Sequence, residues 1–195
     1  LPAPGSRMLE GAPDMVAVYK KSDMRKGWQE NTTLVVADLQ QADGSPVPMC
    51  GRSALKTAVN DWDQFGLKPQ VGLEIEAYAF TRGADGKLAP YDTPQSYVYS
   101  TGPFADPAGF TDAIWAASEK AGFKLECLTT EYDTPQFEFT LKFDDAVQAV
   151  DDHFLFRLMA REVALQHGIV LTCLPKPIAG RGGSGTHVNF SFLDK

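Results

Sequence analysis

The sequence predicts an α+β fold, in which a curved, largely antiparallel sheet carries helices on its outer face. Strand-like segments alternate between polar and apolar residues, as in residues 71–80 and 186–192. Other segments, such as residues 106–121, repeat apolar residues at the three-to-four spacing of a helix. Hydrophobic residues make up 44% of the 195-residue chain, which is enough to fill a sizeable core.

The strand-like segment 186–192 separates its side chains into two faces, because successive side chains of a strand point to opposite sides. The polar face carries His187, Asn189 and Ser191. The other face carries Val188, Phe190 and Phe192, which we expect to point into the core. A glycine-rich loop, residues 182–185, precedes this strand and can bring backbone N–H groups close to an anion.

Acidic residues lie in three earlier strand-like segments. They are Glu74 and Glu76 in residues 71–80, Glu126 and Glu131 in residues 123–132, and Glu138 in residues 134–141. Ionised carboxylates that share one strand face repel each other unless a positive charge compensates them. Carboxylates combined with one neutral imidazole suit Mg²⁺ or Mn²⁺. The polar faces therefore predict a divalent-metal site.

Each of these motifs has a simpler interpretation when it is taken alone. A Glu-x-Glu pair is more often a solvated strand face, a single His is more often a hydrogen-bonded polar residue, and Gly-Gly-Ser-Gly is usually a flexible turn. Their occurrence together, on strands with apolar reverse faces, favours a functional site.

In this order, the motifs resemble the catalytic domain of glutamine synthetases and of the related γ-glutamyl-amine ligases. The matching stretches are GLEIEAYAF (72–80), E-x-x-x-P-Q-F-E (131–138), LPKP (174–177) and GSGTHVNFS (183–191). Residues 37–56 resemble the segment that begins this domain, although Gly51 precedes Arg52 where the family usually has Pro. The resemblance extends from about residue 14 to residue 195.

The resemblance implies a domain division and an assembly. Residues 1–36 would be the remnant of a small N-terminal domain with an intersubunit loop, and residues 37–195 the N-terminal half of the catalytic domain. The chain would then be a fragment of a longer ligase. The family's half-barrel sheet is closed by a strand from a neighbouring subunit, which implies a homo-oligomeric ring, such as a dodecamer, for the intact enzyme.

The activity implied by the resemblance is ATP-dependent formation of a γ-glutamyl amide from glutamate and either ammonia or an amine. ATP would phosphorylate the γ-carboxyl of glutamate, and the amine would displace phosphate. The implied cofactors are ATP and Mg²⁺ or Mn²⁺ at two sites, which neutralise phosphate charge during phosphoryl transfer.

The resemblance also assigns roles to individual residues. One metal would be held by Glu76, Glu131 and Glu138, and the second by Glu74 and His187. The nucleotide would contact Glu126, Asn189 and Ser191. Substrate glutamate would contact Gly183, and Asp14 would take a proton from ammonium in a neighbouring subunit's site. Asn189 stands where the family commonly has a second His, and an amide can form hydrogen bonds there but carries no charge.

Three functional hypotheses follow. The first is a γ-glutamyl ligase, and Asn189 together with the Pro-Gln-Phe-Glu motif favours a γ-glutamyl-amine (polyamine) synthetase over glutamine synthetase. The second is a non-catalytic relative that keeps the metal face as a binding or structural protein. The third is a guanidino kinase, a class that uses several arginines on nucleotide phosphates, whereas only Arg181 lies near the glycine-rich loop.

Composition argues against nucleic-acid and membrane partners. The net charge is −7 and no basic run occurs, so a nucleic-acid footprint is absent from the sequence. No stretch approaches the roughly 18 apolar residues of a membrane span, and no signal-peptide pattern begins the chain. Three isolated cysteines indicate free thiols in a reducing cytoplasm, with Cys127 and Cys173 in the core.

The remaining segments predict further elements. Residues 32–39 predict a buried strand, and residues 82–103 a long loop or hairpin. Ser53 is the expected N-cap of a helix over residues 54–65, and Asp106 with Pro107 opens the next helix. The longest predicted helix covers residues 144–167, with a buried stripe of Val147, Val150, Phe154 and Leu158. His153 and His167 on this helix are expected to be surface or capping residues.

Overall fold

The computed structural model describes residues 14–94 and 96–194, and this part of the chain forms ten strands and three α-helices. The strands are β1 (Met15–Val18), β2 (Met24–Lys26), β3 (Thr33–Val35), β4 (Asp38–Gln41), β5 (Leu67–Arg82), β6 (Leu88–Pro90), β7 (Leu125–Thr130), β8 (Gln136–Asp145), β9 (Ile169–Thr172) and β10 (Thr186–Asp194). The helices are α1 (Gly51–Asp63), α2 (Phe110–Ala121) and α3 (Ala146–Gln166).

The central sheet is antiparallel and is built around the 16-residue strand β5. Its strands follow the order β10-β5-β8-β7, and β6 and β9 also pair with β5. Two small two-stranded sheets, β1 with β4 and β2 with β3, complete the strand pairing in the described residues. The predicted α+β class with an antiparallel sheet is confirmed, and the sheet does not close into a barrel within the described part of the chain.

The hydrophobic core lies between one face of this sheet and the helices. Alternation along β5 and β8 buries Ile75 and Ala77, and likewise Phe137 and Phe139, as predicted. Helix α3 packs on β5 and β8, and α2 packs on β7 and α3. The ring of Phe156 lies 5.6 Å from that of Phe139, so α3 contributes directly to the core under β8.

The apolar face of β10 lies outside this core, contrary to prediction. Val188 is 58% exposed and Phe190 is 70% exposed. Strand β10 pairs with β5 along one side, whereas α2 and α3 cover the β7 and β8 side of the sheet. Helix α1 covers the apolar face of β10 only in part, through Trp62, whose ring lies 4.6 Å from that of Phe192.

The predicted buried stripe of α3 is also wrong. Phe154 is 63% exposed, and Val150 and Leu158 are exposed as well. The helix instead buries these residues: Ala146, Ala149, Asp152, Leu155, Phe156, Met159, Ala160, Val163 and Ala164. Apolar residues occur on several faces of α3, so their spacing alone is compatible with more than one buried stripe.

Smaller differences concern element boundaries and cysteines. Helix α1 begins at Gly51 after Cys50, three residues before the predicted start, and residues 32–39 contain two short strands in place of one. Cys127 is exposed, because it pairs with Thr140 on the polar face of the sheet, whereas Cys173 packs against the core. The predicted hairpin in residues 82–103 contains β6, which pairs with the end of β5.

The predicted arm at the N-terminus lies outside the described residues, which begin at Asp14. Residues 14–36 of the predicted N-terminal remnant form β1, β2 and β3. Arg25 of β2 forms an ion pair with Asp152 of α3, and its guanidinium lies 4.2 Å from the ring centroid of Phe123. This short segment is therefore fastened to the helical side of the main sheet. No helix in the described part of the chain is both long and apolar enough to cross a bilayer.

His153 is a half-buried imidazole of α3, contrary to the surface or capping role expected for it. Its Nε2 atom is buried and has no hydrogen-bond partner among the described residues. Burial, followed by the charge of Arg157, lowers the pKa of His153 to about 4. His167 takes the expected position at the C-terminal cap of α3, with its Nδ1 atom 3.0 Å from the carbonyl oxygen of Ala108.

The orientation of α3 can be tested with two phenylalanines that lie two positions apart. Phe156→Ala removes a ring that is 0% exposed, so we expect it to lower the free energy of unfolding by about 3–5 kcal/mol. Phe154→Ala is the matched control, and its effect should stay within about 0.5 kcal/mol because its ring faces solvent. Urea unfolding followed by circular dichroism measures both. A larger loss for Phe154→Ala would mean that the sequence-based stripe is the buried one.

The buried imidazole predicts an acid-sensitive fold. Because the folded-state pKa of His153 lies below its ordinary value of 6.5, the unfolded chain binds more protons between about pH 6.5 and pH 4. Stability therefore falls as the pH falls through this window. We expect His153→Gln to reduce that loss by about 1–2 kcal/mol, allowing for partial solvent screening. Unfolding free energies of both proteins at pH 7, 5.5 and 4.5 measure the difference, and parallel pH profiles would contradict the assignment.

Candidate metal centre

Three adjacent strands bring the predicted acidic residues and the histidine together. Antiparallel pairing places Glu138 of β8 opposite Glu76 of β5, and His187 of β10 opposite Glu74 of β5. Side chains that lie directly opposite each other on paired strands have Cβ atoms roughly 5 Å apart. Glu131 follows the last residue of β7, the strand that pairs with the other side of β8.

The side chains form two groups that share Glu138. One group consists of Glu76, Glu131 and Glu138, and the other of Glu74, Glu138 and His187. In each group, one potential ligand atom per residue lies within 4.8 Å of the others. All five residues predicted to bind metal are thus neighbours on one face. The second group adds Glu138 to the Glu74 and His187 expected there, and the metal-binding roles of all five stay predictions.

Negative charge is concentrated at this face. Burial, followed by the charges of Glu131, Glu74 and Glu76, raises the pKa of the Glu138 carboxyl above its ordinary value. A hydrogen bond to Glu74 is the main cause that raises the pKa of His187. Within the described residues, no Lys or Arg side chain forms a salt bridge with the four glutamates, so only His187, when protonated, offers them a positive charge.

The glycine-rich loop holds Glu76 in place. The backbone N–H of Gly185 and the side-chain amide of Gln136 both donate to Oε2 of Glu76, each at 3.0 Å. The same amide of Gln136 donates to the carbonyl oxygen of Gly183 at 2.9 Å. A Cβ atom at position 185 would lie 2.9 Å from Nε2 of His187 and 3.0 Å from Oε1 of Glu76, so a larger residue there would displace two predicted ligands. Gln136 was not predicted as a site residue, although its place on the polar face of β8 indicates that it points toward the carboxylates.

A second set of contacts fixes the start of the loop. The Tyr78 hydroxyl donates to the carbonyl oxygen of Gly182 at 2.9 Å, and the Asp133 carboxylate accepts from the N–H of Gly182. Arg181 forms an ion pair with Asp133 at 3.2 Å. Burial, followed by the Asp133 charge, raises the pKa of Tyr78 to about 12. The sequence analysis did not assign roles to Tyr78 and Asp133, because their partners are more than forty residues away in the chain.

Asn189 contacts a predicted metal ligand. Its side-chain amide donates to Oε1 of Glu74 at 2.9 Å, while Nδ1 of His187 lies 3.0 Å from Oε2 of the same carboxylate. Both oxygens of Glu74 are therefore held by residues of β10. The nucleotide contact implied for Asn189 by the family resemblance stays a prediction, and the contact found in the structure is a positioning one.

The other predicted site residues lie outside the two groups. Glu126 is exposed at an irregularity of β7, and Ser191 is exposed opposite Gln70. A Cβ atom at position 183 would lie 2.8 Å from the carbonyl oxygen of Pro175, so Gly183 leaves room for that backbone. Asp14 is exposed immediately before β1. Their proposed contacts with nucleotide, glutamate and ammonium stay predictions.

Comparisons with known proteins support the resemblance found in the sequence. Residues 48–195 match the family described as the catalytic domain of glutamine synthetase. A glutamate–isopropylamine ligase from a Pseudomonas species is 29% identical over 191 residues, which are 94% of this chain and 42% of that protein. A glutamine synthetase from Clostridium saccharobutylicum is 29% identical over 165 residues, which are 85% of this chain and 37% of that protein.

Solved structures agree on the fold. The crystal structure of a novel glutamine synthase homolog superposes with a TM-score of 0.78 at 25% identity, covering 94% of this chain and 42% of that one. The GmaS/ADP complex gives a TM-score of 0.80 at 23% identity, with 93% and 42% covered, and so supports the fold alone.

The chain spans about two fifths of the length of these relatives, between 37% and 42%. The family match covers more than half of the chain and includes β5, β8 and β10, which carry the two carboxylate groups. This match favours the ligase hypothesis over the guanidino kinase. The chain belongs to the glutamine synthetase catalytic-domain family.

Proposed function

We propose that this chain provides the divalent-metal face of an ATP-dependent ligase that joins the γ-carboxyl of glutamate to ammonia or an amine. The observation that carries the proposal is the pair of side-chain groups that share Glu138 on adjacent strands of a glutamine synthetase-type sheet. Two neighbouring metals are the arrangement that phosphoryl transfer commonly uses to neutralise developing charge.

The donor set fits Mg²⁺ or Mn²⁺, which favour carboxylate oxygen and accept an imidazole nitrogen. One metal would be held by Glu76, Glu131 and Glu138, and the other by Glu74, His187 and the shared Glu138. When bound, such metals neutralise phosphate charge and orient the transferred phosphoryl group. Burial, followed by the neighbouring carboxylate charges, raises the pKa of Glu138, and these cations would compensate that clustered negative charge.

The residues of the chain prepare this face before any metal binds. Nδ1 of His187 lies 3.0 Å from Oε2 of Glu74, and Nε2 of the same ring lies 3.6 Å from Oε1 of Glu76. With the proton on Nδ1, Nε2 would be the nitrogen available to a metal. Gly185 and Gln136 hold the Glu76 carboxylate from the other side. Both ligands are therefore oriented by hydrogen bonds, which lowers the entropy lost when a metal is bound.

The proposed reaction has two steps. The γ-carboxylate of glutamate attacks the terminal phosphorus of ATP, releasing ADP and forming γ-glutamyl phosphate. The amine nitrogen then attacks the γ-carbonyl carbon, phosphate leaves, and the nitrogen gives up a proton to a carboxylate. The roles of Asp14, Glu126, Gly183 and Ser191 in binding ammonium, nucleotide and glutamate belong to this proposal, as do a ring-shaped homo-oligomer and a cytoplasmic location.

Replacing Glu138, the residue shared by both groups, with an uncharged Gln should stabilise the metal-free chain and weaken its binding of metal. We expect Glu138→Gln to raise the metal-free unfolding free energy by about 0.5–1 kcal/mol, because ionised Glu138 is partly desolvated and is repelled by its neighbours. The same change should weaken Mn²⁺ binding at least about tenfold, since each group loses a ligand. Chemical unfolding in EDTA and calorimetric Mn²⁺ titration measure the two effects.

Glu119→Gln is the matched control, because Glu119 is an exposed carboxylate on α2 outside both groups. It should change neither quantity beyond experimental error. Unaltered Mn²⁺ binding in Glu138→Gln, or equal weakening in both variants, would contradict the assignment of the metal face.

The ligase proposal is tested by ADP release from the purified chain with ATP, Mg²⁺ and glutamate, comparing ammonium with a panel of primary amines. We expect ADP release that requires glutamate and one nitrogen donor, a γ-glutamyl amide of the corresponding mass, and loss of both in Glu138→Gln. Mn²⁺ binding without product for any donor would contradict ligase activity of this chain by itself, and would favour either an incomplete ligase or the non-catalytic metal-binding relative. ADP release that survives Glu138→Gln would contradict the proposed role of the metal face.

A further inference from the structure

A cavity of about 740 Å³ lies beside the glycine-rich loop, where β9 ends and β10 begins. Its polar walls include Arg157 and Arg161 of α3, Ser184 of the loop and Thr186 of β10. Thr186 pairs with Ile75, a core residue, so it points to the helix side of the sheet and away from the predicted metal ligands. None of the residues in the two carboxylate groups lines this cavity, which is therefore distinct from the metal face.

The cavity carries positive charge that the chain does not neutralise. Three other arginines form ion pairs with aspartates: Arg25, Arg52 and Arg181. Within the described part of the chain, Arg157 and Arg161 form neither an ion pair nor a hydrogen bond, and no Asp or Glu lines the cavity. In a chain whose net charge is −7, this unpaired arginine pair is a local positive site that is available to an anion.

The spacing of the two arginines suits a phosphate group. Arg157 and Arg161 are four positions apart on α3, so their side chains are neighbours on one face of the helix. The planar guanidinium group of arginine binds phosphate oxygens through paired N–H groups. Phosphate alone would leave most of the cavity empty, since its volume is in the range that holds drug-sized ligands. Leu174 and Pro175 add apolar surface to the wall, so we expect an organic group attached to the phosphate.

Two hydroxyl groups of the cavity are also suited to an anion. Oγ1 of Thr172 accepts a hydrogen bond from the N–H of Leu174 at 3.2 Å, and Oγ of Ser184 accepts one from the Gln136 amide at 3.3 Å. Each hydroxyl therefore keeps its own proton for another acceptor. Donors of this kind, together with the two arginines, match the oxygens of a phosphate monoester.

Gln136 connects the cavity with the metal face. Its side-chain amide lies 3.3 Å from Oγ of Ser184 and 3.0 Å from Oε2 of Glu76. A ligand that holds Ser184 would also restrain the loop whose Gly185 N–H donates to Glu76. A loop that is already ordered loses less entropy when a metal binds, so binding at the two places is expected to be mutually favourable. The opposite charges of the two ligands act in the same direction.

We propose that this cavity binds a small organic phosphate, which strengthens metal binding at the carboxylate face through the glycine-rich loop. The inference goes beyond the proposed function and does not depend on it. Its tests measure binding and involve no turnover, so a failure of the ligase proposal is distinguishable from a failure of this one.

The site is tested by calorimetric titration of the chain in EDTA with phenyl phosphate, at a fixed ionic strength. The carboxylates of the metal-free face repel this anion, so binding under these conditions reports the cavity. We expect Arg157→Ala and Arg161→Ala each to weaken binding at least about tenfold, because each removes charge-assisted hydrogen bonds. Inorganic phosphate should bind more weakly than phenyl phosphate, since it leaves the apolar wall uncovered.

Arg82→Ala is the matched control, because Arg82 is an exposed arginine that lies outside the cavity and forms no ion pair within the described residues. Its affinity for phenyl phosphate should equal that of the unmodified chain. The site would be overturned by an unmodified chain that does not bind phenyl phosphate, by binding that survives in the Arg157→Ala/Arg161→Ala double variant, or by equal weakening in Arg82→Ala.

Mn²⁺ titrations with and without phenyl phosphate test the action on the metal face. We expect phenyl phosphate to lower the Mn²⁺ dissociation constant about fivefold, and Mn²⁺ to strengthen phenyl phosphate binding by the same factor. The double variant should lose this effect, which separates phosphate in the cavity from phosphate bound directly to Mn²⁺. An Mn²⁺ dissociation constant that phenyl phosphate leaves unchanged, or lowers equally in the double variant, would overturn the proposed coupling.

Discussion

The alternation of side chains along β5 is the constraint on which the rest of the structure depends. Ile75 and Ala77 are buried against the helices, and their burial fixes the orientation of the strand in the sheet. Glu74 and Glu76 must then project from the opposite face, because a shift of one residue would place carboxylates in the core. The hydrophobic effect on one side of the sheet thus positions the charges on the other.

The clustered carboxylates around Glu138 lower the stability of the metal-free chain, and apolar packing on the other side of the sheet offsets this loss. Glu138 lies among other carboxylates without a Lys or Arg partner in the described residues, and burial, followed by repulsion from those carboxylates, raises its pKa. The aromatic layer beneath β8, including Phe139 and Phe156, supplies the burial that keeps the strands paired. A site that is electrostatically unfavourable when empty is one that gains most from binding a cation.

Alternation of polar and apolar residues predicted the face of each side chain correctly on strands whose apolar face is covered by helices. The period of two on β5 and β8 predicted which apolar side chains face the core and which glutamates share the opposite face, although Glu76, Tyr78 and Gln136 on that opposite face are buried as well. The same reasoning failed on β10, where Val188 and Phe190 are exposed, because alternation identifies a strand's apolar face but not whether another element covers it. It failed on α3 because apolar residues surround that helix, and its packing against α2, β5, β8 and β9 selects Phe156 over Phe154.

By itself, the sequence determined the strand faces, the residue types suited to a divalent metal, and the family resemblance that grouped them. Tertiary structure decided the contacts between distant segments. They include the hydrogen bonds that Gln136 and Gly185 donate to Glu76, and the ring contact between Tyr99 and Tyr132. The physical reason is that side-chain direction follows from local backbone geometry, which sequence periodicity encodes. Contacts between segments depend on strand register and loop closure, which are set only when the whole sheet packs against its helices.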